Sequence, residues 1–200
     1  MSFSQEFSSW FAPKGPPIAQ VPVPGTPAPK TPKLTLRPQT PTILAFLRHC
    51  GCPFAEKTFL NLRETAQSHQ NLDFLAISHS SPQATETWLK SLPQAGSEPS
   101  NLRVIVDEEL EAYAAWGLGT AGFAHVLSPA GLYGVWALGK AEGIWNRPTE
   151  SGSRWQVSGA FGVDGEGIVR WGGAAGRADE RFDFEEGVRV VESGVGAAKL

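Results

Sequence analysis

The chain has 200 residues, of which 41 % are hydrophobic and 18 % charged, and a formal net charge of −3. That length and composition suit one globular domain with a sizeable core plus appendages. The small negative balance and the scattered Lys and Arg residues argue against nucleic acid or an anionic membrane surface as partner.

Ten of the sixteen prolines fall at or before Pro41. Residues 1–32 therefore read as an extended, polyproline-like arm, mobile or surface-hugging; the alternative is a partner-docking arm that uses Trp10 and Phe11. This start has no basic segment followed by an apolar one, so no secretory signal is expected. No run approaches the roughly 18 apolar residues of a membrane-spanning helix. Residues 33–200 are expected to form the ordered domain.

Lys33–Arg37 alternates and suits an edge strand. Thr42–Leu47 is a continuous apolar run, as a strand covered on both faces requires. After Cys50-Gly51-Cys52-Pro53, helix formers run from Phe54 to Ser68, with Phe59, Leu62 and Ala66 at helical spacing; Pro53 suits the first helical position, where its missing N–H costs nothing. Leu72–Ile77 reads as a second core strand, Pro82–Leu92 as a short helix, Leu102–Val106 as a third strand and Asp107–Trp116 as a third helix. Strand–helix alternation with short connections implies parallel strands.

From about 118 to 155 the pattern loosens into a Gly- and aromatic-rich insertion holding Phe123, Tyr133, Trp136 and Trp145. It ends in the polar run Asn146–Trp155. A hairpin follows, Gln156–Val163 and Gly167–Trp171 around Asp164-Gly165, and then a closing helix over Phe182–Val191.

The only two cysteines, Cys50 and Cys52, are too few for a disulfide framework and suit a reducing, cytoplasmic setting. Cys52 stands where a buried strand gives way to a helix. Free N–H groups and the helix dipole at that point favour a thiolate, the reactive form of cysteine. Strand alternation sets Arg48 and Cys50 on one face and His49 on the other, so only one of Arg48 and His49 is expected at the site. An arginine there would hold a thiolate and polarise a peroxide oxygen. One short Cys pair falls below the four-ligand pattern of structural metal sites, so no metal is expected. Gly117-Leu118-Gly119 follows a helix rather than a strand and there is no phosphate loop, so no cofactor is expected.

The run Phe46-Leu47-Arg48-His49-Cys50-Gly51-Cys52-Pro53-Phe54 resembles the peroxiredoxin-like (AhpC/TSA-type) branch of the thioredoxin superfamily. The element order from about 33 to 192 and the closing segment Gly162–Arg170 are similar too. The resemblance implies a thioredoxin-like α/β fold, a mixed sheet flanked by helices. Ala55 stands where the common form has a second cysteine, His49 where it has Thr or Ser, and Ala45 where it has proline. The tetrad Cys52–Ala55 also resembles a monothiol glutaredoxin site.

By this resemblance the chain is a thiol-dependent oxidoreductase that reduces a peroxide or disulfide through Cys52. Arg154 is implied as the arginine from a later strand, with Arg48 and His49 as nearer candidates. Pro53, Phe54, Trp136, Trp145, Arg147, Glu150, Ser151, Ser153 and Trp155 are the substrate-binding candidates. The thioredoxin fold places a cis-proline opposite the cysteine, and Pro148 is the only proline in that stretch.

Cys50 reads either as a small buried hydrophobe or as the second thiol. Residues two apart in extended chain have Cα atoms near the upper limit of about 6.8 Å for a disulfide. Gly51 permits the turn that shortens this span, and a strained disulfide is easily reduced. Glutathione or a thioredoxin is the implied reductant, and a homodimer the implied assembly. Two other readings stand beside this one: a non-redox thioredoxin-like protein binding or transforming a small apolar metabolite in a pocket next to Cys52, and an interaction module acting through the arm.

Overall fold

The computed structural model describes residues 15–122, 129–148 and 151–194. A run of β-rich apolar residues, Thr42–Phe46, forms β1, every residue of it buried. Pro53–Ser68 forms α1 with Pro53 at its start. Asp73–Ser78 is β2, Pro82–Ser91 is α2, Leu102–Val106 is β3 and Glu111–Ala115 is the short α3. Pro129–Glu142 forms α4, Gly159–Val163 and Val169–Ala174 form the hairpin β4–β5, and Phe184–Ser193 forms α5.

The five strands lie in the order β3-β2-β1-β4-β5. β1 pairs in parallel with β2, and β2 with β3. β1 pairs antiparallel with β4, and β4 with β5. This is the mixed thioredoxin-like sheet expected from the sequence. Alternate residues of β1 feed two different cores. Ile43 and Ala45 pack with Phe59 and Leu62 of α1 and Val188 and Val191 of α5. Leu44 and Phe46 pack on the other face with Tyr113, Trp116 and Phe161. The centre of the sheet is thus covered on both sides, which is why β1 is continuously apolar.

Three expectations change. Lys33–Arg37 is not a strand: Thr31 and Leu34 close a turn through a 3.0 Å bond from the Leu34 N–H to Thr31 Oγ1, and Leu34 drops into the core. The third helix begins at Glu111 rather than Asp107, because the buried Asp107 carboxylate caps it. That carboxylate accepts the N–H groups of Glu111, Ala112 and Tyr113 at 3.1, 2.8 and 3.1 Å. The loosely patterned insertion contains α4, which the sequence reading passed over. The described part of the N-terminal arm lies along the surface, one of the two arrangements its composition allows. Ala19 N–H donates to Ala114 O, Gly25 N–H and Val169 N–H exchange bonds with Val169 O and Thr26 O, and Ala28 N–H donates to Gly167 O. Trp10 and Phe11 lie outside the described residues.

Candidate active site

β1 ends at Phe46, and from there strand geometry no longer fixes which way side chains point. Leu47 N–H still bonds to Ile77 O at 2.9 Å, and Tyr113 Oη donates to the carbonyls of both Leu47 and Ile77 at 2.6 and 2.8 Å. The chain then turns: Cys52 N–H bonds back to His49 O at 3.1 Å, with Gly51 at φ +103°. A side chain at Gly51 would also meet Pro148 O at 2.8 Å, so glycine is needed there twice over.

Cys52 is the N-cap of α1. Arg48 Nε donates to its Sγ at 3.3 Å, and Arg48 Nη2 donates to Arg154 O at 2.8 Å. Arg48 is only 5 % exposed, and among the described residues no carboxylate pairs with it and its Nη1 has no acceptor. The Arg48 guanidinium thus keeps one of its donors on the Cys52 sulfur. His49 Nδ1 lies 3.2 Å from Cys50 O; a carbonyl only accepts, so the proton sits on Nδ1. Burial, and then the charge of Arg48, hold the His49 pKa well below the ordinary histidine value, so the ring is neutral.

These groups face a cavity of about 350 Å³. Arg48, His49, Cys52, Pro53 and Phe54 line one side, and Leu132, Val135, Trp136 and Trp145 line the other, with Asn146, Arg154 and Ala178 between. The far wall is α4. Its Gly134 lies against the Phe54 ring, its Gly139 lies against the Trp145 indole, and Lys57 pairs with Glu142 at 2.5 Å. Trp136 and Trp145 remain about half exposed, so the roof is apolar and open to solvent.

The structure therefore brings together Cys52, Arg48, His49, Arg154, Pro53, Phe54, Trp136 and Trp145. Both Arg48 and His49 line the Cys52 cavity, contrary to the expectation of only one, because the strand's alternation stops two residues before Arg48. Arg154 contributes its carbonyl as the acceptor that holds Arg48 and itself lines the cavity.

Other candidates lie elsewhere. Cys50 opens on a different cavity beside α2. Burial raises its pKa; its Sγ lies near Ser78 Oγ and Thr85 Oγ1 at 3.7 and 3.8 Å, and both thiols are free. Arg147 pairs with Glu56 Oε2 at 3.0 Å and lines the Cys50 cavity together with Pro148. No peptide bond among the described residues is cis. Ser151 Oγ accepts the Ser81 N–H at 2.8 Å, and the Ser153 N–H donates to His79 Nε2 at 3.1 Å, so both serines anchor the β2–α2 loop instead of lining the Cys52 cavity. Trp155 is buried. Glu150 and Phe123 lie outside the described residues.

Sequence reasoning missed Leu132, Val135, Asn146 and Ala178 as lining residues. A signal existed for the first two: Leu132, Val135, Trp136 and Gly139 recur at helical spacing. Ala178, on the loop before α5, carried none. Among the described residues no group of three or more His, Cys, Asp or Glu side chains is placed to hold a metal ion. No helix among them is long and apolar enough to cross a membrane.

A thioredoxin-like sheet that sets a cysteine at a helix N-terminus, with a guanidinium on its sulfur, defines the class of thioredoxin-fold thiol proteins. Residues 60–174 match the family model of the AhpC/TSA antioxidant enzymes, and the chain belongs to that family. The matched segment begins after Cys52. A peroxiredoxin-like protein from Aquifex aeolicus has a similar structure, with a TM-score of 0.55 at 15 % identity over 89 % of each chain. A thiol peroxidase from Chromobacterium violaceum is similar as well, with a TM-score of 0.55 at 14 % identity over 90 % of this chain and 91 % of that one. At such identities the likeness is one of fold. No curated protein matches the chain in sequence.

Proposed function

We propose that the protein is a thiol peroxidase in which Cys52 is the sulfur that reduces a hydroperoxide. The observation that carries this reading is the 3.3 Å contact from Arg48 Nε to Cys52 Sγ on the wall of the cavity. The Cys52 thiolate attacks the terminal oxygen of the hydroperoxide. The O–O bond breaks, the alkoxide leaves and takes a proton to become an alcohol, and Cys52 becomes a sulfenic acid. Arg48 stabilises charge on the sulfur before attack and on the oxygens as the bond breaks. His49, being neutral, does not add a second positive charge; its role is to wall the cavity and hold the Cys50 carbonyl. Pro53, Phe54, Trp136 and Trp145 form the apolar part of the substrate site, and Arg154 fixes Arg48 through its carbonyl. A second thiol then condenses with the sulfenic acid, releasing water and leaving a disulfide.

Membership of an antioxidant-enzyme family favours this reading over a non-redox metabolite binder, which leaves the Arg48–Cys52 contact without a purpose. The test is consumption of a hydroperoxide with glutathione or a thioredoxin as reductant. Turnover is expected in the native chain and absent in Cys52→Ser; peroxide consumption that survives Cys52→Ser refutes the assignment.

A further inference from the structure

The Cys50-Gly51-Cys52 turn separates two cavities. The one away from Cys52 has a volume of about 210 Å³. One stripe of α2, Ala84, Thr87, Trp88 and Ser91, lines it at helical spacing, together with Arg147 and Pro148. Residues 145–148 run from one cavity to the other. Trp145 and Asn146 line the Cys52 side, Arg147 and Pro148 line this one, and the Arg147 N–H is fixed to Gly51 O at 2.9 Å. Peroxide reduction at Cys52 makes no use of the second cavity.

Its wall has a distinct chemistry. Trp88 is only 5 % exposed, and its indole N–H has no acceptor among the described residues, so a hydrogen-bond acceptor is wanted there. Arg147 Nη2 pairs with Glu56 Oε2 at 3.0 Å and its Nη1 donates to Ser91 Oγ at 2.5 Å, which fixes the guanidinium, yet 37 % of the side chain stays exposed. Glu56 is buried behind Arg147 and does not line the cavity, so the ion pair turns its cationic end inward. Among the described residues no other charged side chain lines the cavity, and burial raises the Cys50 pKa, which keeps that thiol neutral. Ala84, Pro148 and the indole make the rest of the wall apolar. The volume lies below the roughly 300 Å³ at which pockets begin to take drug-sized ligands.

We propose that this cavity is a binding site, separate from the peroxide site, for a small monocarboxylate with a compact apolar body such as a single ring. The carboxylate meets the exposed edge of Arg147, a charge-assisted contact that an apolar surrounding strengthens. A guanidinium has five N–H donors, so the ligand shares Arg147 with Glu56 and does not displace it. The apolar body lies against Trp88, Ala84 and Pro148, and a ligand oxygen accepts the Trp88 N–H. A second negative charge on the ligand would lie on apolar wall without a cation, which disfavours dicarboxylates. A neutral molecule of the same shape fills the space and forgoes the ionic contact.

The probe is benzoate, titrated into the reduced, nitrogen-15-labelled full chain while the indole N–H resonances are followed; the Trp88 resonance is the one lost in Trp88→Phe. A saturable shift of that resonance is expected. Benzamide, the neutral isostere, is expected to bind about tenfold more weakly or worse. Thr87→Trp, which fills the cavity mouth from the exposed face of α2, is expected to weaken benzoate by about tenfold or more. Arg147→Lys keeps a cation for Glu56 but loses the planar fork, and is expected to weaken it several-fold. The proposal is overturned by a Trp88 resonance that benzoate does not move, by benzamide binding as tightly as benzoate, or by unchanged affinity in whichever of the two variants keeps the native spectrum. None of these readouts depends on Cys52, so their failure leaves the peroxidase reading standing.

Discussion

Arg48 and Cys52 sit four residues apart on a chain that has just left a strand, and the turn between them makes the site. The guanidinium keeps its Nε on sulfur and its Nη2 on the Arg154 carbonyl, and its Nη1 has no acceptor among the described residues. Arg48→Ala is expected to slow the reaction of Cys52 with hydroperoxide by about 10²-fold, the effect of losing one well-placed donor to a developing charge. Arg48→Lys is expected to restore little, since an ammonium cannot reach sulfur and carbonyl as a planar fork does; single-turnover rates for both variants check this. The histidines nearby bear on stability. Burial pushes the His79 pKa down to about 4 and that of His49 well below 6.5. Unfolded chain therefore binds protons that the folded chain refuses, and stability falls as pH falls below about 6.5, by up to about 1.4 kcal/mol per pH unit for each ring. His79→Asn is expected to flatten the dependence of denaturation midpoint on pH between about 6.5 and 4; an unchanged slope contradicts it. At this scale the sequence told much. Cys52, Pro53, Phe54 and the pair Arg48-His49 were legible because a cysteine between an apolar strand and a helix is itself a signal. Which of Arg48 and His49 faced the site was not, since alternation predicts orientation only while the strand lasts.

The elements that carry the site were unequally visible. β1, α1, β2, α2 and β3 follow from apolar runs and helical spacing and end within about two residues of expectation. α3 starts four residues late, because Asp107 caps it through three backbone N–H groups, a tertiary arrangement no local pattern announces. Asp107→Ala is expected to cost about 2–3 kcal/mol, measured by chemical denaturation, through three lost bonds to a charged acceptor in a buried position. α4 was hidden by its glycines, which are poor helix formers. They are there for packing: a Cβ at Gly139 would lie 2.4 Å from the Trp145 ring. Gly139→Val is expected to push Trp145 out of the roof, raising the KM for a bulky organic hydroperoxide several-fold while changing the rate with hydrogen peroxide little. Equal losses with both substrates contradict the assignment of α4 to the substrate site.

On the scale of the whole molecule, the sheet order and strand directions were readable because alternating strands and helices leave few topologies. The arm was not. A proline-rich segment without periodicity gives no sign of where it docks, and the bonds that hold it are made by backbone groups, which sequence composition does not reveal. Residues 19–28 extend the hairpin edge and meet the end of α3. Deleting residues 1–32 is expected to lower the thermal midpoint by on the order of 5–10 °C, whereas a freely mobile arm predicts no change. The fold as a whole presents one thiol to each side of a single turn, Cys52 under the aromatic roof and Cys50 beside α2.

The most direct test of the account is to add a stoichiometric hydroperoxide to the reduced protein in the presence of dimedone and sequence the labelled peptide. The account predicts a dimedone adduct on Cys52, formed faster than on a free thiol, strongly slowed in Arg48→Ala and absent in Cys52→Ser. Label on Cys50 alone, or a Cys52 that reacts no faster than a free thiol, would contradict it.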